Sequence, residues 1–131
     1  MLRDELLRHL QGVNAVVILA GLGGGTGSSI PPVVAGVARD LGVWVAAVVT
    51  TPFEWEGERN AVATSALHAL GESAHVVRAI SNESIAAAMP PDATMSDLFQ
   101  RVNEAVGAEV RGLVHPRSNA ILRQRPTECI V

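Results

Sequence analysis

Apolar positions alternate along the chain between a helical and a strand-like rhythm. Residues 4–10 carry Leu6, Leu7 and Leu10 at helical spacing before Gly12, which predicts a short amphipathic helix. Residues 15–20 (AVVILA) are a continuous apolar run rich in β-branched side chains, short enough for a strand buried on both faces. A glycine-rich stretch, GLGGGTGSS at residues 21–29, leads to a helix expected over about residues 30–41, with Val33, Val34, Val37 and Leu41 on one side and Gly42 closing it. Pro31 and Pro32 are then confined to its first turn. Residues 43–50 (VWVAAVVT) repeat the buried-strand pattern, residues 51–57 form a polar loop, and a helix is expected from about residue 58 to residue 73. Residues 76–80 read as a third strand, followed by a short helical turn opening at Ser81, Asn82 and Glu83. The spacing of Thr94 and Asp97 has capping-box form ahead of a last helix carrying Leu98, Val102, Val106, Val110 and Leu113.

This order is that of right-handed βαβ units, and it predicts an α/β fold in three layers: a mostly parallel sheet with helices on both faces. Three strands are few for such a sheet, whose edge needs a partner or a cover, so the chain reads like half of something. No repeat of solenoid period is present. After Gly112, Pro116 and Pro126 interrupt a mixed polar pattern that predicts no element.

Composition narrows the function classes. With 131 residues, 48% of them hydrophobic and 18% charged, the chain is one folded unit and not a disordered one. Aromatic residues are only 3%, which argues against a base-stacking platform for nucleic acid. All ten basic residues are Arg, so a phosphate-binding, Schiff-base or general-base lysine is excluded from within the chain. A net charge of −3 without a basic cluster predicts no nucleic-acid or anionic-membrane partner. Residues 1–10 lack the apolar segment of a signal peptide, and no apolar run reaches the roughly 18 residues of a membrane span, so a cytoplasmic protein without direct membrane insertion is expected. The single Cys129 fits a reducing cytosol. His9, His68, His75 and His115 have no i,i+4 partner and no clustered carboxylates, which argues against a metal site.

Candidate chemistry collects at the strand ends, where open α/β sheets bind ligands. Five glycines, Gly21, Gly23, Gly24, Gly25 and Gly27, allow the backbone to turn successive N–H groups inward, and a helix starting near Ser29 would add its dipole, so the segment reads as an anion cradle. Thr26, Ser28 and Ser29 add hydroxyl donors, so a phosphate chain needs no lysine here. The segment is neither the dinucleotide fingerprint, since residues 26 and 28 are Thr and Ser, nor a P-loop, since GK[ST] is missing. Beyond the second strand, Glu54, Glu56 and Arg59 reach the same edge, and a carboxylate there accepts from ribose hydroxyls. Taken alone, Glu56 is a solvated loop charge and Asn82 a helix cap. Phe99 and Asn103 share a helix face, a pairing that suits a purine: the ring stacks and the amide reads base edges.

In this combination the residues resemble FtsZ, the tubulin-like bacterial cell-division GTPase family. GLGGGTGSS is similar to the family's signature loop, followed in register by PPVVAGVARDLGVWVAAVVTTPFEWEG, AISNESI and SDLFQRVNEAV. The resemblance runs from about residue 4 to residue 112. It implies a partial Rossmann-like nucleotide-binding domain, with residues 1–112 as the C-terminal half of the GTPase domain and residues 113–131 as a partial central helix or irregular tail. It further implies a GTP or GDP site in which Gly23, Gly24, Gly25, Thr26, Gly27 and Ser28 hold phosphates, Glu56 binds ribose, Asn82 contacts the nucleoside, Phe99 packs on guanine and Asn103 reads its edge. Mg2+ would accompany the nucleotide. Two positions depart from the family pattern: Ser29 replaces a further glycine, and Asn60 stands where the family has arginine, with Arg59 one place earlier as the phosphate-side candidate. The family's first phosphate loop, first three strands, acidic synergy loop and C-terminal domain have no counterpart in the sequence. Family members hydrolyse GTP where two subunits meet, so no catalytic residue is assigned here, and the expected partners are copies of itself or full-length FtsZ-type subunits. A non-catalytic module that caps or modulates such filaments, and an α/β enzyme using the glycine segment for another phosphate ligand, are the rival expectations.

Overall fold

The computed structural model describes residues 2–114. Its elements alternate as the periodicity predicts: α1 (Leu2–Leu10), β1 (Ala15–Gly21), α2 (Gly25–Asp40), β2 (Trp44–Thr51), a 3-10 turn (Glu54–Glu56), α3 (Glu58–Ser73), β3 (Val76–Ser81), α4 (Asn82–Ala87) and α5 (Met95–Val114). The strands form one parallel sheet in the order β1-β2-β3, with Ala15 opposite Trp44 and Ala46 opposite Val76. Parallel neighbours cannot be joined by a tight turn, so α2 and α3 serve as crossovers.

Side chains of β2 and β3 alternate between two covered faces, which is why they read as apolar runs, whereas β1, expected to be buried on both faces, buries only Ile18 because it lies at the edge of the sheet. On one face Ile18, Val45, Ala47, Val49, Val77 and Ala79 pack with Leu10 of α1, Ala35 and Ala38 of α2, and Ala66 and Leu70 of α3. On the other, Ala46, Val48 and Val76 pack with Val106, Val110 and Leu113 of α5. A third cluster joins Phe53, Leu98 and Val102 to Ile85 and Met89, fastening α4 and α5 to the strand ends. Coverage of the sheet is uneven. The last helix packs over β2 and β3, and β1 is left as an edge strand whose Leu19 is 57% exposed on that face. The unmatched edge expected of a three-stranded sheet is therefore present.

Local signals end the helices. Gly12 and Gly42 both take φ 76° just past α1 and α2, the left-handed conformation that closes a helix. The capping box is formed: Thr94 N–H donates to Asp97 Oδ2 at 2.9 Å and Asp97 N–H donates to Thr94 Oγ1 at 3.1 Å. The Thr94 N–H, and after it the Thr94 hydroxyl, favour the ionised carboxylate and hold Asp97 below its usual 3.8.

One boundary differs in a way that matters. The helix expected from about residue 30 begins at Gly25, so the glycine-rich stretch supplies its first turn, and Pro31 and Pro32 stand in the second turn. Glycine's poor helix propensity reads as loop in sequence, yet a helix anchored by packing tolerates it. Leu113 and Val114 complete α5. The rest of the expected tail, including His115, Pro116, Pro126 and Cys129, lies outside the described residues.

Candidate functional site

The carboxyl end of β1 is locked to β2, since Gly21 pairs with Thr50 and Leu22 N–H donates to Thr50 O at 2.9 Å. The chain then turns at Gly23, which takes φ 113°, a conformation costly to any side chain. Of the five glycines, only Gly23 uses a left-handed backbone, which corrects the expectation that all five serve conformational freedom. Gly27 serves close approach instead, because an ideal Cβ on it would collide with the Gly21 carbonyl oxygen. Buried Ser28 accepts from Gly23 N–H through Oγ at 2.8 Å, and so clasps the turn from within. Ser29 Oγ donates to Gly25 O at 2.6 Å. No side chain caps the start of α2 and its first turn holds no acid. The N–H groups of Gly25, Thr26 and Gly27 therefore lack intrahelical partners and carry the positive end of the helix dipole, with open space beside Gly25.

At the end of β2 the 3-10 turn is held by its own side chains. Glu56 Oε2 accepts from Phe53 N–H at 2.6 Å and its Oε1 accepts from Arg59 Nη1 at 2.9 Å, leaving the glutamate side chain 13% exposed. Asn60 Nδ2 donates to the carbonyls of Phe53 and Glu54 at 2.9 and 3.3 Å, so Asn60 braces this turn. Arg59 lies against Gly23, and its Nη2 is 3.9 Å from where a Cβ on Gly24 would stand.

At the end of β3 the capping role falls to Ser81, whose Oγ accepts from Ser84 N–H at 3.1 Å. Asn82 is thereby released from the cap its position suggests. Its Oδ1 is buried with no hydrogen-bond partner, and Asn82 lines an open cavity of about 350 Å³ together with Gly21, Thr50, Phe99 and Asn103. A buried acceptor left unpaired costs about 1–3 kcal/mol, which a donor on a ligand would recover. Phe99 is 49% exposed on the wall of this cavity, one helical turn from Asn103. Glu83 Oε2 accepts from Glu54 N–H at 3.2 Å and stitches α4 to the 3-10 turn.

Two groups of expected residues are thus assembled. Asn82, Phe99 and Asn103 converge on one cavity, while Gly23, Gly24, Gly25, Thr26, Gly27, Ser28 and Arg59 form the adjoining turn. Glu56 joins the second group through Arg59 and does not line the cavity. Thr50 and Leu19 line it without having been foreseen, because only the β1–β2 register puts Thr50 opposite Gly21. An apolar ring, an unpaired acceptor, an amide and an uncapped helix start fit a purine nucleotide. No group of three His, Cys, Asp or Glu side chains that could hold a metal exists among the described residues. His68 does have an i,i+4 partner, exposed Glu72 at 3.2 Å, which corrects the reading that no histidine has one. Among the described residues no helix is long and apolar enough to cross a membrane.

The family model described as Tubulin/FtsZ family, GTPase domain, matches residues 1–90. Cell division protein FtsZ of Pseudomonas putida is 36% identical over 112 residues, which cover 85% of this chain and 28% of that protein. The solved structure of an empty FtsZ dimer from M. jannaschii is similar with a TM-score of 0.76 at 34% identity, over 85% of this chain and 32% of that one. A GTPγS-bound protofilament of CetZ2 from Haloferax volcanii gives a TM-score of 0.73 at 26% identity, over 91% and 39% respectively. The parallel sheet, the matched motifs and these likenesses agree, and the chain belongs to the Tubulin/FtsZ family.

Proposed function

We propose that the chain binds GTP or GDP at its strand ends and acts with copies of itself or with full-length FtsZ-type subunits in bacterial cell division, in the cytoplasm at the division site. The observation that carries this reading is the buried, unpaired Asn82 Oδ1 in a cavity walled by Phe99 and Asn103. In this reading Phe99 stacks on guanine, Asn103 bonds its edge and Asn82 accepts from the nucleoside. The free N–H groups of Gly25, Thr26 and Gly27 hold phosphate oxygens, with Gly23, Gly24 and Ser28 shaping the turn and Arg59 supplying positive charge beside it. Glu56 keeps lone pairs beyond its two internal bonds and accepts from a ribose hydroxyl. Mg2+ would be carried by the phosphates, since the chain offers no acidic cluster among its described residues.

No residue is assigned to bond cleavage, and GTP hydrolysis by this chain alone is not expected. Assembly with its own kind is supported by the dimer and protofilament among its structural relatives. The test is equilibrium binding of a fluorescent GTP analogue to the purified chain with ATP as competitor, alongside circular dichroism. Guanine-selective saturation by a folded chain is expected, and a folded chain that binds neither nucleotide refutes the reading. The exposed Leu19 on the β1 edge favours a second role, as a module that caps or modulates full-length filaments. Co-sedimentation with a full-length FtsZ tests it, and polymer mass unchanged at stoichiometric amounts rejects it.

A further inference from the structure

Away from the strand ends, a guanidinium is buried where the pattern calls for an apolar side chain. On the face of β3 toward α5, Val76 and Ile80 pack with Val106, Val110 and Leu113, and Arg78 stands between them at 7% exposure. Its Nε lies 3.6 Å from Glu109 Oε2 on α5, where the two side chains are 8% and 35% exposed. An ion pair in such a place loses much of its attraction to desolvation, and an apolar pair of similar volume stabilises as well or better. What a charge pair adds is register: valine, alanine and leucine contacts tolerate sliding along the interface, whereas opposite charges hold one alignment.

That alignment matters to the cavity above it. Leu113 packs near the start of the sheet with Ala46 and Val76, and Leu98 packs near its end with Phe53, so α5 runs back down β3. Asn82 lies four residues beyond Arg78, roughly 13 Å along the strand direction. Asn103 and Phe99 lie six and ten residues before Glu109, roughly 9 and 15 Å up the helix. The ion pair and the cavity thus share α5, which supplies one wall, while β3 leads directly into Asn82, the first residue of α4, at the opposite side.

We propose that Arg78 and Glu109 are positioning residues whose pairing sets the axial register of α5 on β3, and so holds Phe99 and Asn103 at the separation from Asn82 that admits a purine. This rests on the guanine-nucleotide reading above. The test compares the whole 131-residue chain with the double variant Arg78→Leu/Glu109→Leu, which removes both charges of this pair together, and with Glu109→Gln, which keeps the polar shape. Melting temperature, affinity for a fluorescent GTP analogue and competition by ATP are measured on each. The expected result is a double variant as stable as the parent that binds on the order of tenfold more weakly and discriminates less against ATP, with a smaller loss in Glu109→Gln. Unchanged affinity and selectivity in both variants overturns the proposal. Should the parent bind no nucleotide, the binding reading fails, and amide hydrogen exchange decides the register separately. Faster exchange at Asn82 and at residues 98–103 in the double variant supports the pin, and unchanged exchange rejects it.

Discussion

Replacing Gly27 with alanine puts the closest packing in the site to a quantitative test. An ideal Cβ at this position falls well inside 3.0 Å of the Gly21 carbonyl oxygen and 3.3 Å from its carbon, and both atoms are backbone fixed by the β1–β2 ladder. Relief requires α2 or the end of β1 to move by about 1 Å, and overpacking of this kind costs about 3 kcal/mol. Alanine is favoured over glycine inside a helix by about 1 kcal/mol, so the net loss is about 2 kcal/mol. For a chain of 131 residues that lowers the melting temperature by roughly 7 °C. Gly71 supplies the control: it sits in α3 with nothing within 4 Å of an added Cβ, so the same substitution there gains about 0.5–1 kcal/mol. Urea unfolding of the two variants, followed by circular dichroism, measures the difference directly. A Gly27→Ala chain as stable as the parent would refute the close-approach account and return the glycine to a merely permissive role.

Other outcomes follow from the same geometry. Asn82→Ala is expected to weaken GTP-analogue binding by about tenfold while leaving the melting temperature unchanged or raised, since it deletes a buried acceptor that has no partner; a clear fall in stability would mean that the amide is structurally committed. Because Asp97 titrates below 3.8 when folded, its contribution is full above that value and is lost as pH falls through the folded pKa. Asp97→Asn should therefore be less stable than the parent at neutral pH, and thermal melts of the two should converge in acid; a gap independent of pH contradicts the assignment. Leu19→Lys charges an exposed edge position, so light scattering at rising concentration should show less self-association, with stability changed by less than about 1 kcal/mol.

Much of this protein is legible without coordinates. The unbroken apolar runs AVVILA and VWVAAVVT identify strands, and the helical spacing between them forces parallel crossovers, so sheet and layers follow from local pattern, although only the second run is covered on both faces. The capping box at Thr94 and Asp97 and the helix stops at Gly12 and Gly42 are equally local, because each depends on residues within four positions. The residues proposed for the site stand out for the same reason: a glycine-rich stretch and an i,i+4 aromatic–amide pair are visible in local spacing.

What required the tertiary structure is everything set by distant partners. Gly27 is a contact residue because Gly21 carbonyl approaches it, and that approach starts α2 at Gly25 despite glycine's low propensity. Asn82 is available because Ser81 takes the cap, Glu56 is drawn inward by Phe53 and Arg59, and Thr50 enters the cavity through the β1–β2 register. Arg78 draws no notice in a sequence that reads as a third strand, and only the crossing of α5 supplies Glu109. Local rhythm determines which elements form, since it depends on near neighbours along the chain; their pairing and crossing decide which side chains meet, since those neighbours are near only in space.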